Sequence, residues 1–141
     1  MLVGIPNVIS PLLLKVLDEM GHGDEIVFAD ANYPAAAHAR FLVRADGVDI
    51  PTLLKSILPL VPLDSYAEKP VALMQTVGED PRPDIWDAYG QIIRDNGYGQ
   101  NGIEYMDRAD FYERGKRAYA IVATGERAVY ANILLKKGVV K

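Results

Sequence analysis

Three short, almost uninterrupted apolar runs constrain the fold of this chain most: "EIVFAD" at 25–30, "PVALMQTV" at 70–77 and "AYAIVAT" at 118–124. A strand exposed on one face alternates polar and apolar residues, whereas a strand covered on both faces reads as a continuous apolar run. Each run is separated from the next by segments with helical periodicity. Leu13, Val16, Leu17 and Met20 recur at helical spacing behind Ser10, a cap candidate, and Pro11, which suits the first helical position. Alternating buried strands and amphipathic helices imply an α/β protein. The expectation is a single three-layer α/β/α domain over residues 1–141, with a mostly parallel or mixed sheet of about six strands.

The remaining elements follow the same reading. Gly21 is expected to close the first helix by adopting positive φ. "ANYPAAAHAR" reads as a loop, and "FLVRADG" as a short strand and turn. "DIPTLLKSILPLV" is a helix with Asp49 near its cap, limited by Pro59 and Pro62. In "RPDIWDAYGQIIRDNG", Ile85, Trp86, Tyr89, Ile92 and Ile93 share one helical face and Gly97 is a stop. "IEYM" is a strand, "DRADFYERGKRA" a helix, and "AVYANILLKKGVV" supplies the closing strand, for about four helices and five or six strands.

Composition narrows the function. The chain has 141 residues, no cysteine and a formal net charge of −4. There is no thiolate chemistry, no disulfide framework and no basic stripe of the kind a nucleic-acid binder needs. No apolar run approaches the ~18 residues of a membrane span, and the start "MLVGIPNVIS" lacks the pattern of a signal peptide. A cytoplasmic protein acting on a small neutral ligand, with neither membrane nor nucleic acid as partner, is the expectation.

Few side chains offer chemistry. His22, between two glycines in "MGHGDEIVFAD", is of the residue type whose unperturbed side chain changes charge near neutrality, which suits proton transfer, though a polar turn also accommodates such a residue. Asp30 lies at the carboxyl end of the following strand, where α/β sheets gather ligands. The two sit at opposite strand ends, roughly 25 Å apart by strand rise. One subunit does not bring them together easily, but two could. Arg108 opens a helix against the dipole preference, which suits either a grip on a polar ligand or a solvated surface position. Tyr130 and Asn132 in "YAN" would face one side of an extended segment and could bind hydroxyls. His38 reads as solvent-exposed, and Trp86 and Tyr89 as core. A metal site from His22, Asp24 and Asp30 lacks any recognised ligand spacing. The glycine-rich "NGYGQNG" at 96–102 lacks the ending of a phosphate loop and reads as a connector.

Together, "SPLLLKVLDEMGHGDEIVFADANYP", "RADG", "LPLVPLDSY" and "FYERGKRAYAIVATGERAVYANILLKKGV" resemble the family containing L-fucose mutarotase and D-ribose pyranase, on its L-fucose mutarotase branch. The likeness is collinear over almost the whole chain and drifts most between Gly78 and Gly102. Asn32 stands where many fucose-type members carry histidine. The resemblance implies an isomerase, needing neither cofactor nor metal, that interconverts the α and β anomers of a free monosaccharide. It implies His22 as the proton-transferring residue and Asp30, Arg108, Tyr130 and Asn132 as sugar contacts, with Tyr130 placed either to bind or to relay the second proton. It also implies a ring-shaped homodecamer with sites at subunit contacts. A non-catalytic sugar-binding protein of the same fold and a ribose-type pyranase are the alternatives.

Overall fold

The structure is a computed structural model describing residues 1–99 and 102–141. Among the described residues there are five helices and six strands. In chain order these are α1 (Pro11–Glu19), β1 (Glu25–Ala29), α2 (Ala35–His38), β2 (Leu42–Ala45), α3 (Ile50–Ile57), β3 (Val71–Met74), α4 (Ile85–Asp95), β4 (Ile103–Met106), α5 (Arg108–Arg117), β5 (Ala120–Thr124) and β6 (Ile133–Lys136). The caps form as the sequence implies. Ser10 accepts the Leu13 N–H (3.1 Å), and Asp49 accepts the Thr52 N–H (2.8 Å). Each satisfies a donor that a helix start leaves open.

Two local readings need correction. The segment "ANYPAAAHAR" contains α2, one helical turn that an alanine run forms readily once Ala35 is buried against the sheet. The turn after α1 closes differently too. Met20 ends the helix in an extended conformation, and positive φ (+87°) falls on Gly23 instead of Gly21. Of the "NGYGQNG" connector, Gly97 has positive φ (+85°) as a helix stop requires, while Gln100 and Asn101 lie outside the described residues.

The sheet is mixed, in the order β2-β5-β1-β6-β3-β4. All neighbouring pairs are parallel except those of β6, which runs antiparallel to both β1 and β3. Strand residues divide by parity, as a pleat demands. Ile26, Phe28, Val71, Leu73, Val122, Ile133 and Leu135 pack with α1, α3 and α4. Val27, Ala29, Ala72, Met74, Ile121 and Leu134 pack with Ala35 of α2 and Phe111 of α5. Helices therefore cover both faces, and the apolar runs are continuous because neither face is wet.

Past β6, the chain is pressed against the segment around Asp64. The Gly138 N–H donates to the Pro62 carbonyl (2.7 Å) and the Asp64 N–H to the Lys136 carbonyl (3.0 Å). A β-carbon on Gly138 would lie 2.5 Å from the Leu63 carbonyl oxygen and 2.9 Å from the Asp64 α-carbon. Both obstacles are backbone, so neither can rotate away. Gly138→Ala should destabilise the fold by about 1–3 kcal/mol, the usual cost of overpacking. Urea denaturation measures it, and an unchanged midpoint would mean that the 62–64 segment withdraws freely.

Candidate active site

The reversal of β6 builds the site. In a parallel sheet the loops that follow the strands converge at one edge. Because β6 runs the other way, the residues that precede it arrive at that same edge. Ile133 pairs with Phe28 of β1 and with Leu73 of β3. Asn132, one residue before the strand, therefore meets Asp30, one residue after β1. The Asp30 N–H donates to Asn132 Oδ1 (2.7 Å), with both residues buried.

Around this pair lies a cavity of about 240 Å³, lined in part by Asp30, Asn32, Asp80, Arg108, Tyr130 and Asn132. This is smaller than the ~300–1,000 Å³ that houses a drug-sized ligand, and it suits a small polar molecule. Tyr33 and Tyr112 form an aromatic wall, with ring centroids 5.2 Å apart. Arg108 is the first residue of α5, and the helix start directs it to the strand-end edge. Four of the five expected site residues (Asp30, Arg108, Tyr130 and Asn132) thus share one cavity.

Tyr130 reaches it by another route than an extended segment. Its φ is +55°, alone among described non-glycine residues in being positive. Such backbone costs of order 1–3 kcal/mol and persists only where the surroundings hold it. The holders are the two aromatic residues of α4. The Trp86 indole N–H donates to the Tyr130 carbonyl (2.8 Å), and the Tyr89 hydroxyl donates to the Ala131 carbonyl (2.6 Å). The Tyr130 hydroxyl donates to Asp80 and accepts the Val77 N–H (3.2 Å). Trp86 and Tyr89 are buried, as expected of core, yet they also fix the site.

His22 lies elsewhere. It precedes β1, at the end of the strand opposite Asp30, and does not line the cavity. Its Nε2 is 3.0 Å from Asp64 Oδ1, and its ring, about half exposed, stands 5.6 Å from that of Tyr66. Asp64 is buried. Burial works to raise its carboxyl pKa, but the Tyr66 N–H and His22 outweigh this and hold it below the usual range. The turn carrying His22 is tied to the far end of β6. The Gly23 N–H donates to the Lys137 carbonyl (2.8 Å), and the Lys137 ammonium donates to the Leu17 carbonyl (2.8 Å).

His38 departs from its expected exposure. It is half-buried against Tyr33 and Tyr112, with centroids 5.8 and 5.2 Å away, because α2 folds that loop onto α5. Among the described residues no group of three or more His, Cys, Asp or Glu side chains is placed to hold a metal ion. Asp24 instead accepts the Gly21 N–H (2.8 Å). Asp80, Tyr33 and Tyr112 were not singled out from sequence. Asp80 lies 50 positions from Tyr130, and no local spacing links the two.

A sequence profile of the RbsD / FucU transport protein family matches residues 3–140. The chain belongs to this family. Within it, the chain is 49% identical to the L-fucose mutarotase of Histophilus somni, over 99% of this chain and 97% of that one. It is 48% identical to the fucose mutarotase of Danio rerio, over 99% and 94% respectively. Among solved structures, the fucose mutarotase of Streptococcus pneumoniae in complex with L-fucose matches with a TM-score of 0.98 and 59% identity, over 99% of this chain and all of that one (100%).

Burial raises the Asp30 carboxyl pKa above its ordinary value, against the opposing effect of the Asn32 N–H, which donates to it (2.9 Å). The native state therefore holds the Asp30 proton to higher pH than the unfolded chain does. Stability contributed by that proton is complete below the unfolded pKa and is lost as pH rises through the folded one. Asp30→Asn carries no such titration. Its stability relative to wild type should increase as pH rises from the acid side of the carboxylate range to neutrality, measured by urea midpoints at several pH values. A pH-independent difference would mean that Asp30 titrates alike in both states.

Proposed function

We propose that this protein is an L-fucose mutarotase, an isomerase that interconverts the α and β anomers of the free sugar. The observation that carries this reading is the near-superposable relative with L-fucose bound. The cavity supports it by offering a carboxylate, a guanidinium, a phenol and an amide around a volume suited to one ring. Asp30, Arg108, Tyr130 and Asn132 hold the sugar hydroxyls, and Tyr33 and Tyr112 cover an apolar face of the ring.

Mutarotation needs two proton movements. The anomeric hydroxyl loses its proton while the ring oxygen gains one, and the C1–O5 bond opens to an aldehyde. Rotation about C1–C2 then presents the other carbonyl face, and the transfers reverse as the ring closes. Positioned proton transfer of this kind is typically worth ~10²–10⁴-fold. His22 serves as one of the two proton carriers. Since it lies at the opposite end of β1 from the cavity, it acts on sugar held by a neighbouring copy, with Asp64 fixing its ring. This arrangement fits a ring-shaped homo-oligomer, a decamer by family resemblance, in a cytoplasmic setting.

Saturation-transfer NMR between the anomeric protons of L-fucose tests the activity. Exchange should exceed the buffer rate for wild type and fall by about 10²-fold or more for His22→Ala. Wild type exchanging L-fucose no faster than buffer would overturn the reading. Shared sites predict complementation as well. Randomly mixed His22→Ala and Arg108→Ala chains should recover about a quarter of wild-type exchange, because one ring site in four then joins an intact cavity to an intact histidine. No recovery would place His22 outside its neighbour's site.

A further inference from the structure

We propose that Asp80 is the positioning residue for Tyr130: it takes the phenol proton, so that Tyr130 faces the sugar as a proton acceptor and the ring oxygen is left to His22. This rests on the mutarotase reading and assigns the direction of proton flow within it.

The geometry follows from the phenol's hydrogen-bonding capacity. A tyrosine hydroxyl has one proton to give and two lone pairs to accept with. In Tyr130 the proton is donated to Asp80 Oδ2, and one lone pair receives the Val77 N–H (3.2 Å). What remains to meet a ligand in the shared cavity is a single lone pair. A sugar hydroxyl arriving there finds an acceptor. The phenol cannot escape by moving its backbone, because Trp86 and Tyr89 hold the carbonyls of residues 130 and 131. The Asp80 carboxylate also raises the Tyr130 pKa, opposed by the Val77 N–H, so at neutral pH the phenol keeps the proton it is to pass on.

The charged and titratable groups around this pair are few. Arg108 and Tyr112 stand on α5 and Asp30 follows β1, all lining the same cavity. Arg82 and Asp84 belong to the loop that carries Asp80 and line an adjoining hollow with it. Arg82 is engaged with Asp87 (2.8 Å). Asp80 is thus the carboxylate bonded to the phenol, while Asp30 is bonded to main-chain N–H groups of its own loop.

The proton balance closes without a co-reactant. On opening, the O1–H bond breaks and its proton passes to Tyr130 Oη, while the phenol's own proton passes to Asp80. The C1–O5 bond breaks with its electrons moving to O5, which takes a proton from His22 of a neighbouring copy. On closure at the other carbonyl face, O5 returns that proton to His22 and C1–O5 re-forms. The former carbonyl oxygen then takes a proton from Tyr130, which recovers its own from Asp80.

The test measures L-fucose anomer exchange at neutral pH for wild type, Asp80→Asn, Asp80→Glu, Tyr130→Phe and the double variant Asp80→Asn/Tyr130→Phe. Asp80→Asn should lower kcat by ~10–100-fold, the lower part of what a positioned proton transfer is worth, with KM changed by less than about threefold. Asp80→Glu should restore most of the rate. Asp80→Asn should add less than about twofold to the loss from Tyr130→Phe, because both act through one phenol. Wild-type kcat in Asp80→Asn, or losses that multiply in the double variant, would overturn the assignment and leave the mutarotase reading intact. Absence of exchange in wild type would overturn both. Asp80 is exposed, and circular dichroism of each variant distinguishes lost folding from lost transfer.

Discussion

The reversed strand β6, set between parallel β1 and β3, is the constraint on which the rest depends. In an all-parallel sheet the residues before a strand and those after its neighbours lie at opposite edges. Reversing one central strand makes them meet. Asn132 therefore reaches the Asp30 main chain directly, and the bond between them ties the site floor to the sheet register. The other end of the same strand leads into Lys137, which holds the His22 turn. One strand of four residues thus organises two clusters of functional groups and keeps them apart.

The second dependence is the support of Tyr130 by α4. A non-glycine residue at positive φ is a local cost that the surroundings must offset. Here the offset comes from two hydrogen bonds given by buried aromatic side chains, in a setting where unpaired carbonyls would be expensive. Trp86 and Tyr89 serve packing and aim at once. Their apolar bodies fill the core beneath α4, and their polar tips set where the phenol points.

Much of this was legible in the sequence. The continuous apolar runs identify strands covered on both faces, and Ser10, Asp49 and Gly97 mark helix ends where the structure has them. The caps are local, governed by residues three or four positions apart. The separation of His22 from Asp30 was also legible, since strand rise alone puts them at opposite ends. What could not be read depends on long-range pairing. Whether β6 runs parallel or antiparallel does not alter its periodicity, yet it decides that Asp30 meets Asn132. The contact between Asp80 and Tyr130 spans fifty positions and leaves no spacing signature. Gly21 and Gly23 look equivalent on paper. The choice falls on Gly23, whose N–H bonds to Lys137, far away in the chain.

The placement of β6 also bears on how the molecule comes into being. It is the final strand in chain order and one of the two innermost in the sheet. During synthesis the segments through β5 emerge while the space between β1 and β3 is still vacant, so the β3–β4 pair has no strand joining it to the β2-β5-β1 group. Its contacts with β1 join residues more than a hundred positions apart, a topology that favours slow folding. Until β6 inserts, neither the floor at Asp30 nor the turn at His22 has its partner. Closure of the cavity floor and completion of the sheet therefore arrive in one event, and a chain stalled before it would expose unpaired strand edges.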